Sequence, residues 1–398
     1  MKINTISVLI VVVLTLSIFC STTLLGLVSA LLVDLSKEFD ITVAAGGQLL
    51  TILAITWALV APAIGPFSDR IGRKRMVVSG LVLSGASVLG YGLSWSFSSL
   101  LGFSVLFGLG GAAAGPNILA IVGDQFSPKV HGRVMSIVTT GIPVGYLAGV
   151  PAGALVADSL GWRWSFLVLG MLMIVTALAG MLILPSPRSH RSHKGTKYLS
   201  SFREAFRHRS LLPLVLANTL LQGAYNVVAV YLIAFLIQSY SLNIGQVAPF
   251  ISFMAVGNLI GMLAGGPLAD KLSKTKLCAT TQALAGFISL VLMFLTPGIW
   301  LSVFLGGLFM GLNSSNRPAF FSLMLSISGT VRGTVMGIQA TSNHLGRALG
   351  AMIGGLMLAL VGYQYLGILC LVLSLFASAT FLYVSSHMSE ASANTAVG

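Results

Sequence analysis

The sequence predicts an all-α membrane protein whose twelve transmembrane helices form two pseudo-symmetric six-helix bundles. Three observations carry this prediction: scarce charge, twelve long apolar runs and an internal repeat. Only 31 of 398 residues are charged (22 Lys+Arg and 9 Asp+Glu), whereas 56% are hydrophobic and the mean hydropathy is +0.95. About a quarter of the residues of a soluble chain are charged. The composition therefore excludes a soluble enzyme, a disordered chain and a nucleic-acid-binding protein, despite a net charge of +13.

Twelve apolar runs are each long enough to cross a bilayer, which takes about 20 mainly apolar residues in a helix. The alternating strands of a membrane β-barrel are missing from the pattern. The first run is too long for a signal-peptide core and lacks a small-residue cleavage site, so we expect it to remain as a helix. The predicted helices are 6–33, 48–67, 76–94, 99–123, 134–157, 164–184, 211–238, 246–268, 277–296, 299–325, 334–361 and 365–385.

The three cysteines, Cys20, Cys278 and Cys370, lie inside apolar runs, where cysteine behaves as a small hydrophobic residue. Their spacing suggests neither a disulfide framework nor a metal site. The sequence also shows no nucleophile–base pattern of the kind that a catalytic site needs. We therefore expect no enzymatic activity, no cofactor and no metal.

The basic residues fix the predicted orientation. If both termini are cytoplasmic, 18 of the 22 Lys and Arg residues fall on the cytoplasmic side, as the positive-inside rule requires. Four of the five tryptophans (Trp95, Trp162, Trp164 and Trp300) then lie at outer helix ends, where an interfacial aromatic belt forms. The charge of +13 is thus explained by topology and by contact with anionic lipid, and we expect no nucleic-acid partner.

An internal repeat with an offset of 201 residues divides the chain. Gly145, Gly149 and Gly153 return as Gly346, Gly350 and Gly354, and a Pro…Asp-basic pattern starting at Pro66 returns at Pro267. Six helices separate the copies, so both halves share one orientation, and the substrate site is expected between them near mid-membrane. The predicted domains are an N-terminal bundle (1–184), a linker (185–210) and a C-terminal bundle (211–398).

The linker is the longest hydrophilic segment. We interpret its end as a short basic amphipathic helix on the inner leaflet, with a regulatory site as the alternative. Its apolar face would hold Tyr198, Leu199, Phe202, Ala205 and Phe206, and its basic residues are Arg203, Arg207 and Arg209.

The stretch GPFSDRIGRKR (65–75), its degenerate copy GGPLADKLSKTK, and GIPVGYLAGVPAGALVADSLGWRWSF (141–166) resemble motifs of the major facilitator superfamily. Within it, the chain resembles the twelve-span drug/proton antiporter group, and most nearly its sugar, nucleoside and arabinose efflux-like branch. The resemblance implies a secondary transporter of the bacterial cytoplasmic membrane, monomeric, exchanging protons for a small-molecule substrate.

The first of these motifs is a candidate gate. Asp69 is an acid among cations, and the resemblance implies that Asp124 pairs with one of them; a purely topogenic cluster is the alternative. An acid here would also meet the positive end of a helix dipole. The candidate gating residues are Gly65, Asp69, Arg70, Gly72, Arg73, Lys74 and Asp124.

The fifth helix carries glycine at every fourth position, which allows close helix packing and, as a second interpretation, sliding. The helix-packing motif is Gly141, Pro143, Gly145, Gly149, Pro151 and Gly153. Two departures from the family pattern stand out. Tyr146 follows Gly145 where antiporters have proline, and Ser104 replaces an arginine that the resemblance ties to proton coupling.

Polar and basic residues inside the membrane concentrate in the second half. Asn218, Gln222 and Asn226 recur every fourth residue, as one face of a helix does, although interhelical hydrogen bonding is an alternative to lining a wet cavity. Intramembrane cations normally face a cavity and act, but Arg317 lies near enough to the inner end to snorkel. The candidate substrate-binding residues are Asn218, Gln222, Tyr225, Asn226, Asn313, Asn316, Arg317, Gln339, Asn343, His344 and Arg347.

We expect an alternating-access transporter of a polar or amphipathic organic molecule such as a drug, sugar or nucleoside. The resemblance, rather than any residue, implies that it exports this molecule in exchange for protons. Asp34 and His344 are the candidate proton-coupling groups. The predicted site has two arginines and no carboxylate, so an anionic metabolite, such as a siderophore-type chelator or an organic acid, is an alternative substrate. An uncoupled facilitator and a lipid flippase remain further alternatives.

Overall fold

A computed structural model gives the fold of residues 5–185, 203–295, 298–327 and 332–396. Within these ranges the chain is almost entirely α-helical, with no strand in the part that the structure covers. It forms two compact units: unit 1 comprises residues 1–192 and 241–252, and unit 2 comprises 193–240 and 253–398. The predicted all-α class is confirmed. The predicted linker, 185–210, consists mostly of residues that the structure does not describe, and its boundaries stay a prediction.

Unit 1 contains six long helical passes. The helices are α1 (Thr5–Ala30), α2 (Leu32–Glu38), α3 (Val43–Gly46), α4 (Gln48–Ile71), α5 (Arg73–Gly92), α6 (Phe97–Gln125), α7 (Pro128–Thr139), α8 (Gly141–Val144), a π turn (Gly145–Gly149), α9 (Val150–Leu160) and α10 (Trp162–Ile183). The passes are α1, α4, α5, α6, the run from α7 to α9, and α10. Gly72 and Gly161 connect neighbouring helices at positive φ (97° and 95°), a conformation that favours glycine.

Unit 2 is built mainly from six long helices. They are α11 (Leu211–Tyr240), α12 (Ile244–Lys271), α13 (Lys274–Leu295), α14 (Ile299–Ser326), α15 (Arg332–Val361) and α16 (Tyr363–Ala396). The first residues of α12, up to Ser252, belong to unit 1.

Eleven helices among the described ranges are long and apolar enough to cross a membrane. The remaining predicted pass, α14, has the required length of 28 residues but is less apolar. Its second half contains the polar run Asn313-Ser314-Ser315-Asn316-Arg317, which lowers its mean hydropathy. Helix α14 is therefore a pass that carries an unusual number of polar groups.

Two predicted helices are interrupted. The first, predicted over 6–33, ends at Ala30, and α2 begins after Leu31. The fifth, predicted over 134–157, is divided by the π turn Gly145–Gly149. Pro151 lacks an N–H, so the carbonyl of Leu147 cannot accept its α-helical hydrogen bond. The Ser252 hydroxyl donates to that carbonyl instead (3.1 Å), which satisfies it inside unit 1.

The glycines of the fifth pass face α1. A β-carbon would lie 2.6 Å from the Thr15 carbonyl oxygen at Gly141 and 3.1 Å from the Phe19 carbonyl oxygen at Gly145. At Gly149 a β-carbon would overlap the Thr23 hydroxyl. The absence of side chains therefore lets the two backbones approach closely.

The repeat reproduces this packing in unit 2, where α15 packs on α11. A β-carbon at Gly346 would overlap the carbonyl oxygen of Thr219, and one at Gly350 would overlap that of Gly223. The same feature joins α12 to α14, because a β-carbon at Gly261 would overlap the backbone of Gly311. Close backbone contact at glycine seams thus positions the polar residues of α11, α14 and α15.

Replacing Gly261 with alanine should destabilise the protein, because the new methyl group meets backbone that cannot rotate away. We expect a loss of about 1–3 kcal/mol, seen as a lower midpoint of thermal unfolding followed by intrinsic fluorescence. Gly266→Ala on the same helix is the matched control, since nothing lies within 4 Å of its β-carbon position. Equal midpoints for the two variants would contradict the close packing of α12 on α14.

Candidate functional site

The candidate substrate residues all lie in unit 2, on α11, α14 and α15. Asn218 of α11 is buried, and its amide donates hydrogen bonds to the hydroxyl of Ser342 (2.6 Å) and to Oδ1 of Asn343 (2.7 Å), both on α15. Two turns later, the Asn226 amide donates to the backbone carbonyl of Arg347 (2.8 Å). The polar stripe of α11 therefore holds α11 against α15 through Asn218 and Asn226.

Gln222, the middle residue of the stripe, differs from its neighbours. It is half-buried, and its side-chain amide makes no hydrogen bond within the part of the chain that the structure describes. Tyr225 is buried and its ring stacks parallel to Phe309 of α14, with centroids 6.2 Å apart. Gln222 is thus the member of this stripe whose amide is not used to join helices.

Helix α14 divides its asparagines between two environments. Asn316 accepts a hydrogen bond from the Thr281 hydroxyl and donates to Oε1 of Gln282 (3.3 Å), so it belongs to a buried network with α13. Asn313 donates to the Phe309 carbonyl of its own helix (2.9 Å), while its buried Oδ1 has no hydrogen-bond partner among the described residues.

A second unsatisfied group follows directly. The Ser314 hydroxyl is fully buried and also lacks a partner in the described ranges. Pro318 removes the N–H that would bond to the Ser314 carbonyl. Half-buried Arg317 lies one turn beyond Asn313. Buried polar groups normally have a partner, so this turn of α14 has the capacity to bind water or a ligand.

Helix α15 supplies the remaining candidates. Gln339, Asn343, His344 and Arg347 are all half-buried. His344 and Arg347 are three residues apart and so lie on one side of the helix. Of these four residues, Asn343 and Arg347 contact α11, through the Asn343 side chain and the Arg347 carbonyl. The role of all four in binding substrate stays a prediction.

The candidate gate lies at one end of unit 1. Arg73 forms an ion pair with Asp124 and donates to the Ala120 carbonyl (2.9 Å), so Asp124 has a cation of the cluster as its partner, as predicted. Both side chains are over a third exposed, and such a pair contributes at most about 1 kcal/mol. The side chains of Asp69 and Arg70 lie outside the described part of the structure. The gating role of the motif stays a prediction.

Sequence reasoning missed a second contact at this end. The buried hydroxyl of Ser68 donates to Oδ1 of Asn117, which joins α4 to α6 next to the gate. Asn117 directly follows Pro116, the proline inside α6. The available signal was an asparagine directly after a proline inside an apolar run.

The position where the family has an arginine is buried, and its side chain is hydrogen-bonded. Ser104 is fully buried, and its hydroxyl is 2.5 Å from that of Tyr91, which is also fully buried. Ser104 also donates to the Leu100 carbonyl (3.0 Å). A neutral hydroxyl pair therefore occupies the place that the resemblance ties to proton coupling.

Of the linker, only its end is described. Residues 203–206 form one helical turn, in which Ala205 is buried and Phe206 is 47% exposed. Ala205 packs into the core of unit 2 with Leu211, whereas Phe206 is exposed, and the predicted amphipathic helix on the inner leaflet stays a prediction. Tyr198, Leu199 and Phe202 lie outside the described ranges.

Comparison with known proteins bears on what this arrangement does. The model of the Major Facilitator Superfamily matches residues 14–338. The chain belongs to the major facilitator superfamily. Its members are transporters, so the chain is a multi-pass membrane transporter and not an enzyme.

Two curated bacterial relatives cover most of the chain. It is 25% identical over 378 residues to multidrug resistance protein 2 of Bacillus subtilis, covering 89% of this chain and 90% of the relative. It is 27% identical over 305 residues to the 3-(3-hydroxy-phenyl)propionate transporter of Escherichia coli, covering 74% and 73%. Relatives with such different names leave the substrate open.

A solved structure has the same fold. A bacterial homologue of the human lysosomal transporter Spinster, solved in an inward-facing and occupied conformation, superimposes with a TM-score of 0.76 at 19% identity. The alignment covers 95% of this chain and 96% of the homologue. This chain therefore has the major facilitator fold over almost its whole length.

Substituting Asn218 and Gln222 should distinguish an amide that joins two helices from one that is available to a ligand. Asn218→Ala removes two buried hydrogen bonds and leaves Ser342 and Asn343 without that donor, so we expect a loss of about 1–3 kcal/mol in unfolding free energy. Gln222→Ala, one turn away, should leave the thermal unfolding midpoint nearly unchanged. Equal destabilisation by both variants would contradict this division.

Proposed function

We propose that this chain is a proton-coupled exporter of a small polar or amphipathic organic molecule, in the class of drugs, sugars or nucleosides. It would work as a monomer by alternating access in the bacterial cytoplasmic membrane, with both termini in the cytoplasm. Membership of the superfamily and the name of the multidrug resistance relative support transport and export. The distribution of Lys and Arg supports the orientation.

One observation carries the proposal for a polar substrate: the buried, unsatisfied Oδ1 of Asn313 and hydroxyl of Ser314 in the middle of α14. In hydrocarbon an unpaired polar group costs several kcal/mol, so a helix retains such groups where a ligand or water satisfies them. Half-buried Gln222 and Gln339 supply further neutral hydrogen-bonding groups on α11 and α15. A substrate with several hydroxyl or amide groups fits this chemistry.

A second candidate is the export of an anionic metabolite. Arg317 and Arg347 lie within passes α14 and α15, whereas each acid in a described spanning helix lies within three residues of the end of its span. This charge distribution disfavours a cationic substrate and favours an acidic one. The name of the hydroxyphenylpropionate relative points to the same class of substrate.

Transport in proteoliposomes with an imposed pH gradient tests the proposed function. We expect a neutral nucleoside or sugar, or an aromatic carboxylate, to move against its own gradient, and a protonophore to abolish this accumulation. A cationic dye should move more slowly. Equilibration that is unaffected by the pH gradient would identify an uncoupled facilitator instead. Movement of a fluorescent phospholipid analogue without movement of the solutes would identify a flippase.

Substituting the two arginines should weaken the binding of acidic compounds more than that of neutral ones. Arg317→Gln and Arg347→Gln each remove a charge-assisted hydrogen bond to a carboxylate, worth about 1.5–3 kcal/mol, or roughly a 10–100-fold loss of affinity. Binding of a neutral compound should change far less. Arg209→Gln, an exposed residue that precedes α11, is the matched control. Equal retention of both classes of compound by the variants would rule out the anionic substrate.

A further inference from the structure

Asp34 occupies an unusual position in unit 1. It lies in the first turn of α2, directly after the break at Leu31 that ends α1. Its Oδ2 is buried and has no hydrogen-bond partner in the described part of the chain. A carboxylate oxygen without a partner is costly to bury, whereas a protonated carboxyl group is neutral. The local structure therefore favours the protonated form of Asp34.

The charged surroundings act in the same direction. Lys37 on α2 favours ionisation of Asp34, and the negative charge of Asp158 on α9 opposes it. Helices α1 and α3, which pack against α2, contain no charged residue. The other charged groups at this end are Glu38, Arg163 and Asp40. Glu38 is already paired with Arg163 (2.7 Å), and Asp40 is exposed.

Asp158 in turn holds the start of α12. Its Oδ1 accepts a hydrogen bond from the backbone N–H of Gly245 (3.3 Å), in the first turn of α12. A β-carbon at Gly245 would overlap this carboxylate, so only glycine permits the approach. The first four N–H groups of a helix lack intrahelical partners, and a carboxylate there also meets the positive end of the helix dipole. Residues 241–252 accordingly belong to unit 1.

We propose that Asp34 is a proton-binding residue of this transporter, and that its protonation stabilises the contact between Asp158 and the first turn of α12. When Asp34 loses its proton, its negative charge and that of Asp158 repel each other, and the buried Oδ2 gains charge without a partner. The contact then weakens. Because α12 is one continuous helix whose residues from Phe253 belong to unit 2, its first turn is a place where proton binding can control movement.

The direction of the pKa shift is consistent with this geometry. Burial raises the pKa of Asp34 above 3.8, Lys37 opposes the increase, and Asp158 adds to it. Asp34 lies outside the spanning segment Ile6–Ala30. A raised folded-state pKa means that the stabilisation is complete below about 3.8 and is lost as the pH rises through the folded-state pKa. Proton binding therefore favours the conformation in which Oδ2 of Asp34 is buried.

Hydrogen exchange of the full-length protein in lipid nanodiscs, followed by mass spectrometry at several pH values, tests the proposal without a substrate. After correction for intrinsic exchange rates, peptides covering residues 244–252 of the wild type should lose protection as the pH rises. Asp34→Asn, which cannot ionise, should keep the protection at all pH values. Asp158→Ala should exchange at least severalfold faster than the wild type throughout, because the acceptor for the Gly245 N–H is gone. Asp40→Asn, an exposed acid nearby, is the matched control and should follow the wild type.

An Asp34→Asn protein whose exchange follows the wild-type pH profile would overturn the proposal, as would an Asp158→Ala protein with wild-type protection. Unfolding midpoints measured for each variant show whether the fold is retained. The proposed coupling to transport rests on the function proposed above, but this measurement does not. If the exchange profile is as expected but the pH gradient drives no transport, only the proposed function is contradicted. If the pH gradient drives transport but Asp34→Asn exchanges like the wild type, only the Asp34 site is contradicted.

Discussion

The low polarity of the bilayer is the constraint on which this structure depends. A polar group inside hydrocarbon must find a partner within the protein or face water, because lipid offers no hydrogen bond. This chain meets the requirement for its backbone with long helices, and for many side chains with hydrogen bonds across glycine seams. Where a glycine seam brings two helices together, amides such as Asn218 reach the neighbouring helix. The groups left unsatisfied after this packing are the ones available for function.

The repeat explains why the two units share their packing but not their chemistry. Gly145 and Gly149 face α1 in the way that Gly346 and Gly350 face α11, so the same close approach is built twice. In unit 1 the fifth pass carries Pro143 and Pro151 and turns through a π turn, whereas α15 is continuous. The counterpart of the α1 seam in unit 2 carries Asn218 and Asn226. The two units thus repeat the same backbone packing with different side chains, and those of unit 2 give it the polar interior.

Much of the fold could be predicted from the sequence, because apolar length and charge position determine where helices lie in a membrane. The all-α class follows from those patterns, the repeat follows from motifs that recur 201 residues apart, and the pairing of Asp124 with a cation was implied by the family resemblance. The break at Leu31 and the π turn could not be predicted, since they depend on tertiary packing rather than on local composition. The candidate site was predictable only as a list of residues. Spacing places Asn218, Gln222 and Asn226 on one face, but only the positions of Ser342 and Arg347 reveal which amides join helices.

The proposed substrate site lies in the middle of unit 2, beside a tightly packed seam, and requires that its amides and arginines face water rather than lipid. Cysteine accessibility tests this claim most directly, and the three native cysteines are buried and should not interfere. With a charged, water-soluble thiol reagent, Gln222→Cys and Gln339→Cys should be labelled readily, while Asn218→Cys should stay unlabelled. Labelling of Gln222→Cys and Gln339→Cys only by a lipid-soluble reagent, or no faster than that of Asn218→Cys, would contradict the claim.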